Sequence, residues 1–405
     1  MKRVVVTGMG IWSCIGQDLQ TVTESLKQGR SGIVFDPKRI EYGLHSGLVG
    51  NVPHPDLKPL LPRKFRVTMS EDSEYAYMAA RQAFNQAQID NNYLLQNEVG
   101  IIFGNDGNAG EMIVPYTIME QEHDSMMVGP SALFRTETSS VTMNLSTIFH
   151  LQGINFCVGA ACTSGSHAIG IASILIRHGM QDIILVGGSC SIDMRGTAAI
   201  DAIEAISHRN ETPQFASRPF DTNRDGMVPS GGAAALVLEE YEHAVARGAT
   251  ILAEVVGYGF SSNGTEDISM PSADGEYIAM KRALDDAGLQ PSNIDYINAH
   301  ATSTIAGDIE EAKALTRLFN SKPFVSSTKS MTGHELFAAG ASEAVYSILM
   351  MQNGFVAPNI NLENVIDEAK DLNIVRETVY TPINTVLSNS SGMGGTNSAL
   401  IFKKI

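Results

Sequence analysis

Cys162 sits in Gly159-Ala160-Ala161-Cys162-Thr163-Ser164-Gly165, a run of small residues that opens a helical pattern. The apolar run Ile183-Ile184-Leu185-Val186 follows that pattern, so the thiol is expected at a turn feeding a helix N-terminus. Free N–H groups and the helix dipole at such a point favour a thiolate, and a sulfur that attacks a carbonyl carbon is the chemistry implied. A cysteine on its own usually packs as a small apolar side chain. Two histidines change that balance: His300 in Asn298-Ala299-His300-Ala301-Thr302-Ser303-Thr304 and His334 in Lys329-Ser330-Met331-Thr332-Gly333-His334, each just past a strand-like segment. Open α/β sheets gather ligands outside the carboxyl ends of their strands, so the three groups are expected to converge there.

One cysteine with two histidines, and no neighbouring aspartate motif for a triad, points to a sulfur that is acylated and then gives its acyl group to carbon. Neutral imidazoles can donate hydrogen bonds to an enolate oxygen, the charge that carbon–carbon bond formation must stabilise. The loop Gly392-Met393-Gly394-Gly395 can bring backbone N–H groups close to a reacting carbonyl, since glycines let the chain approach.

The elements that hold these groups are readable by pattern. Arg3–Thr7 is a short strand running into a turn at Gly8-Met9-Gly10, and the serine at position 13 argues against a dinucleotide fingerprint. Helices are expected at about 21–27, 70–88 (Tyr77, Ala80, Phe84 and Ala87 on one face), 139–150, 162–179, 275–287, 308–319 and from His334 to about 352. Strands are expected at 99–104, 153–158, 183–188, 233–239, 251–259, 294–298, 324–327, 386–388 and 399–402. The alternation implies an α/β fold with a largely buried sheet. The apolar run and Gly-x-Gly at 251–259 echo the chain's opening and hint at a duplicated unit, with halves at 1–250 and 251–405.

A chain of 405 residues with 43% hydrophobic and 18% charged residues is globular, and it has no apolar stretch long enough for a membrane span. Its start reads as a strand, not a signal peptide. Four scattered cysteines fit a reducing compartment, taken to be the cytoplasm, and argue against structural zinc. A formal charge of -16 disfavours nucleic acid and anionic membranes, so an acidic partner must meet a local basic patch.

The chain resembles the β-ketoacyl-acyl carrier protein synthases of synthase I and II type, which are elongating condensing enzymes. The resemblance rests on Val5-Val6-Thr7-Gly8-Met9-Gly10, Ala161-Cys162-Thr163-Ser164, Ser217-Arg218-Pro219-Phe220-Asp221 with Arg224-Asp225-Gly226, the stretch from His300 to Asp308, Ser327-Thr328-Lys329-Ser330-Met331-Thr332-Gly333-His334, and Gly394-Gly395-Thr396-Asn397. It implies a thiolase-like α/β fold, a duplicated α-β-α-β-α five-layer architecture with mixed sheets. By this resemblance Cys162 takes an acyl chain from acyl carrier protein, with the N–H groups of Cys162 and Met393 as oxyanion hole. His300 and His334 assist decarboxylation of malonyl-acyl carrier protein and hold the enolate, Lys329 supports the histidine geometry, Glu311 is its acidic neighbour and Asp308 a further support. Thr302 and Thr304 would hold the phosphopantetheine arm, which arrives on the carrier protein, and catalysis needs no cofactor. Asn298, Glu343, Ser388 and Asn389 lie where a structural cation would sit, and oxygen donors suit a hard ion. Arg63, Lys64 and Arg66 form the basic patch for carrier-protein docking. The family is dimeric, so a homodimer or a pairing with a chain-length-factor-like subunit is implied.

The chain departs from the pattern near the nucleophile. Relatives usually carry Asn-Ser-Phe-Gly-Phe-Gly-Gly where this chain has Asn389-Ser390-Ser391-Gly392-Met393-Gly394-Gly395, so Ser391 and Met393 replace both aromatics of the gate. Ala301 stands for glycine, Glu335 and Phe337 for a common Leu and Gly, and Pro229-Ser230-Gly231-Gly232-Ala233-Ala234 for Gly-Glu-Gly-Ala-Gly. No catalytic group is lost, but the changes gather where an acyl chain would pass. They suggest a specialised polyene or other type II polyketide pathway in place of bulk fatty acid elongation. A chain-length factor would lack the nucleophile, and a degradative thiolase would carry a second cysteine near its C-terminus, whereas Cys190 is the last one here.

Overall fold

The computed structural model describes residues 1–319 and 323–405. Eleven strands among the described residues form one continuous sheet: β1 (Val4–Trp12), β2 (Gly100–Gly104), β3 (Asn155–Val158), β4 (Ile183–Cys190), β5 (Gly232–Glu240), β6 (Ala253–Ser262), β7 (Tyr296–Asn298), β8 (Phe324–Ser326), β9 (Asn373–Ile374), β10 (Thr385–Gly392) and β11 (Thr396–Lys403). Their order is β9-β8-β7-β10-β11-β6-β1-β5-β4-β2-β3.

That order contains one motif twice. Leaving aside the two-residue edge strand β9, which the second half adds beside β8, both halves run third-second-fourth-fifth-first: β3-β2-β4-β5-β1 and β8-β7-β10-β11-β6. The senses agree as well. The second strand is parallel to the third and fourth, and the fifth is antiparallel to the fourth and first, in both halves. The weak echo at 251–259 is therefore the visible trace of a repeated sheet. The two copies meet at β1 and β6 through Val5↔Glu254 and Val6↔Ala253.

Eight helices matter for the site: α1 (Leu19–Gln28), α2 (Glu71–Gln86), α3 (Ala109–Glu122), α4 (Ser140–Phe149), α5 (Ser164–Arg177), α6 (Ala273–Ala287), α7 (Ile305–Leu318) and α8 (Ala339–Asn353). Three buried clusters divide them into layers. The central cluster joins α1, α5 and α8 to both halves of the sheet; a second packs α2 and α4 on the outer face of the first half; a third packs α6 and α7 on the outer face of the second half. This is the five-layer α-β-α-β-α arrangement expected. Local sequence explains the helix ends: Ser70 accepts from the Ser73 N–H to start α2, a cap worth about 1 kcal/mol, and Gly288 closes α6 in the left-handed conformation.

β1 corrects one expectation, because it runs on through Gly8 and Gly10 to Trp12 where a turn was read. The glycines mark close packing and not reversal: a Cβ there would lie 2.1 Å from the Ala83 carbonyl oxygen or 1.9 Å from that of Ala79, both on α2. A bulge between Val6 and Gly8 also shifts the alternation by one residue, so Val4, Val6, Met9 and Ile11 all reach the central core. Beyond the loop that follows β2 lies α3, none of whose residues is buried.

Candidate active site

Cys162 lies in a tight turn, Ala161–Thr163, between β3 and α5. Ala161 is forced to φ 47, a left-handed conformation costly for a residue with a Cβ. Several bonds hold it there: the Asp106 carboxylate accepts from the Ala161 N–H (2.6 Å), Ser164 Oγ accepts from the Ala160 N–H (2.9 Å) and donates to the Ala161 carbonyl (2.6 Å), and Thr163 Oγ1 donates to the Ala160 carbonyl (2.7 Å). The strain fixes the sulfur at the mouth of the turn, only 8% exposed. Sequence reasoning missed Asp106, which enters from the loop after β2.

Burial opposes the thiolate that the helix start favours. Burial pushes the Cys162 thiol up to about 11, outweighing the Lys329 ammonium and the Met393 and Cys162 N–H groups that favour the anion. The helix start is near, but the desolvation is larger and favours the thiol.

His300 follows β7 and His334 follows β8, as read. Their rings meet edge-to-face with centroids 5.2 Å apart at 87°. Both are held well below the ordinary histidine range, first by burial and then by Lys329, so both are neutral. The Nδ1 atoms have no protein partner. Backbone bonds fix the ring positions: the His334 N–H donates to the Val228 carbonyl (2.7 Å), and the His334 carbonyl accepts from the Ser230 N–H (2.8 Å).

Lys329 ties the three groups together, since its charge bears on Cys162, His300 and His334 alike. It is 1% exposed and forms an ion pair with Glu343 on α8. Glu343, read as a cation ligand, is in addition the lysine's ion-pair partner. Glu311, read as the lysine's acidic neighbour, lies within reach of its charge and also braces the loop after β7, accepting from the His300 N–H (2.7 Å), the Ala301 N–H (2.6 Å) and Asn389 Nδ2 (2.8 Å). Asp308 sits beside it, accepting from the Phe220 N–H (2.8 Å) and the Ser303 N–H (3.1 Å), with Arg224 at 3.5 Å. That is why the Arg218–Asp221 and Arg224–Gly226 segments matter: they are the buried frame of the His300 loop.

Of the four candidate cation ligands, Asn298 and Ser388 are register partners on β7 and β10, and Glu343 Oε2 is buried without a partner. Asn389 faces the other way, toward Glu311, as alternation along a strand requires. Thr302 and Thr304 lie on the His300 loop with their hydroxyls 3.0 Å apart. Met393 is half exposed at the tip of the β10–β11 turn, where Gly394 and Gly395 take φ 84 and 85, and its N–H bears on the Cys162 sulfur. Arg63 and Lys64 are exposed on a short helix, Arg63–Arg66, while Arg66 is partly covered and donates to the Leu61 carbonyl.

Sequence reasoning also missed His167 on α5. Its Nδ1 lies 2.6 Å from the Tyr258 hydroxyl and its Nε2 3.1 Å from Thr396 Oγ1, which in turn lies 3.1 Å from Thr163 Oγ1. This chain of bonds pins the far end of the glycine turn to the residue after the nucleophile. A polar residue inside an otherwise apolar helical stripe was the one available signal.

Family models described as the N-terminal and C-terminal domains of β-ketoacyl synthase match residues 1–244 and 252–363. The chain is 42% identical to 3-oxoacyl-(acyl-carrier-protein) synthase 1 of Haemophilus influenzae over 410 residues, covering 100% of this chain and 99% of that one. A solved β-ketoacyl synthase from Burkholderia phymatum superposes with a TM-score of 0.95 at 36% identity, each chain covered in full. The ishigamide ketosynthase/chain length factor superposes at 0.92 with 30% identity, covering 100% of this chain and 99% of that one.

Proposed function

The chain belongs to the β-ketoacyl synthase family, and on that premise we propose that it joins a Cys162-bound acyl chain to a malonyl unit carried on acyl carrier protein, by decarboxylative Claisen condensation. The pair of facing imidazoles is the observation that carries this reading, because rings whose basicity burial and Lys329 depress can donate to an enolate oxygen yet are weak bases toward water.

The steps follow from the geometry. The Cys162 sulfur adds to the acyl thioester carbonyl, whose oxygen takes hydrogen bonds from the N–H groups of Cys162 and Met393. The carrier's sulfur leaves and takes the proton that Cys162 gives up. A malonyl thioester then enters, its carbonyl oxygen between His300 and His334; loss of carbon dioxide leaves the electron pair on the enolate those rings stabilise. The enolate carbon attacks the acyl-Cys162 carbonyl, and collapse expels the Cys162 thiolate, which takes up one proton. Lys329 keeps both rings neutral, so each has one ring N–H to donate to the enolate oxygen. Thr302 and Thr304 offer hydroxyls to the amide-bearing phosphopantetheine arm, and Arg63, Lys64 and Arg66 meet the acidic carrier protein.

A hard structural cation would be held by Asn298, Glu343 and Ser388, whose oxygen donors and one orphaned carboxylate oxygen suit it; it would balance buried charge and take no part in the chemistry. A second subunit, identical or chain-length-factor-like, would cover the open edge of β3 and the exposed apolar residues Met112, Ile113, Tyr116 and Met119 of α3. Four free cysteines suit the cytoplasm, and no helix among the described residues is long and apolar enough to cross a membrane. Ser391 and Met393 at the gate favour a specialised polyene or polyketide acyl chain over saturated chains.

Mass measurement of the protein incubated with acyl- and malonyl-acyl carrier protein tests the reaction. An acyl adduct on Cys162 that persists in His300→Ala, with loss of condensation, is expected; an adduct elsewhere overturns the assignment. Met393→Phe should shift acceptance toward saturated chains, and an unchanged preference would refute the specialised reading.

A further inference from the structure

Glu335 is a buried carboxyl one residue past His334, at the position where relatives carry a common leucine. Its partners are hydroxyls and not cations. The Tyr346 hydroxyl donates to Glu335 Oε1 (2.9 Å); Ser13 Oγ lies 3.2 Å from the same oxygen and 2.9 Å from the Tyr346 hydroxyl, so the three groups close a ring. Ser13 and Tyr346 are wholly buried. A leucine would fill this space without taking a carboxyl out of water. What the acid adds is direction, because a bonded network in the interior fixes one arrangement where apolar packing tolerates several.

The ring is built on α8. Tyr346 stands three residues beyond Glu343, on the same face of that helix, and Glu343 holds Lys329 in the buried ion pair. The segment Lys329–Glu335 is thus tied to one helix at both ends, with His334 beside the second tie. The His334 Nδ1 has no protein partner among the described residues, so no bond at that atom aims the ring and its placement comes from the backbone that carries it. That backbone turns sharply just beyond: Leu336 is held at φ 47, costly for a residue with a Cβ and kept only where its surroundings over-determine it. Ser13, directly after β1, ties the same point to the first strand. The bonds that hold the Cys162 turn come instead from Asp106, Thr163 and Ser164 and share no residue with this ring.

We propose that Glu335 is a positioning residue for the malonyl half of the reaction: its bonds to Tyr346 and Ser13 clamp the end of the Lys329–Glu335 segment onto α8 and so set where the His334 ring meets the enolate oxygen. Loading of the acyl chain onto Cys162, held by a separate set of bonds, does not depend on the clamp. The inference rests on the enolate role given to His334 above.

Two rates measured separately in the full-length protein test it: acylation of Cys162 by acyl-acyl carrier protein, read as adduct mass, and release of carbon dioxide from malonyl-acyl carrier protein. Glu335→Leu should slow decarboxylation about tenfold in kcat, with KM for the malonyl carrier and the acylation rate unchanged, since a displaced positioning group acts on the reacting geometry and not on binding. Tyr346→Phe should act in the same direction, and adding it to Glu335→Leu should cost nothing further, as expected of two residues in one network. Glu335→Gln keeps an oxygen that accepts from Tyr346 and should hold the wild-type rate. Acylation and decarboxylation slowed alike, decarboxylation at the wild-type rate in Glu335→Leu, or Glu335→Gln as slow as Glu335→Leu, overturns the proposal and leaves Glu335 as packing or as charge. Wild type that acylates Cys162 but releases no carbon dioxide would instead overturn the reading of His334 in the reaction.

Discussion

Lys329 and Glu343 form an ion pair buried beneath two neutral imidazoles, and the second oxygen of that carboxylate is left without a partner. Glu343 is raised to about 7, burial outweighing the lysine that pulls it down. The arrangement is therefore poised, and the lysine is what keeps a charge there at all.

Lys329→Met should destabilise the protein by about 3 kcal/mol or more at pH 8, the scale of breaking a buried pair. The loss should shrink at pH 6, because the stranded carboxyl can then take a proton. The variant's histidines should also titrate higher than wild type, since Lys329 depresses both. Thermal melts at the two pH values and proton NMR titration check both parts; equal losses at pH 6 and 8 would contradict the account.

Alkylation of Cys162 should accelerate throughout the alkaline range toward about 11. Rates of iodoacetamide inactivation, read as adduct mass on Cys162, measure this. A plateau near the ordinary cysteine value would mean that the helix start outweighs burial after all.

Glu335 is 1% exposed and accepts from the Tyr346 hydroxyl (2.9 Å) and Ser13 Oγ (3.2 Å). Burial raises it to about 8. Its folded value exceeds its unfolded one, so its contribution to stability is whole below the unfolded value and is lost as pH climbs to about 8. Glu335→Gln should flatten the fall in melting temperature over that window, and an unchanged slope would show that Glu335 stays ionised.

Arg63→Glu with Lys64→Glu should raise KM for acyl-acyl carrier protein about tenfold at low salt, and less at high salt, with little change toward a small pantetheine thioester. Equal effects on both substrates would move docking elsewhere.

His167 is driven down to about 4 by burial. A depressed histidine contributes its stability above the unfolded value, and that stability drains away as pH falls toward about 4. His167→Leu should lose about 1–3 kcal/mol by stranding Tyr258 and Thr396, and its melting temperature should vary less with pH over that interval.

Much of this was legible in the chain because motif and element coincide. Cys162, His300 and His334 each follow a strand of regular apolar pattern, so their convergence could be deduced, and Ser70 and Gly288 mark helix ends by side-chain and backbone chemistry. Other relationships have no local signature. Lys329 and Glu343 meet through tertiary packing of α8, whose buried residues cover its whole circumference and leave no stripe to read. Gly8 and Gly10 look like a turn unless α2 is known to lie on them. The protonation of Cys162 depends on burial summed over the whole crevice, which no window of sequence contains.

The seam between the two copies of the sheet is two residue pairs wide, whereas α5 and α8 pack along the centre and carry Cys162 and His334 just ahead of their first turns. The two halves are therefore held together by one shared buried cluster more than by strand pairing, so a substitution that repacks α5 against α8 should disturb the spacing of sulfur and imidazole more than one at the seam.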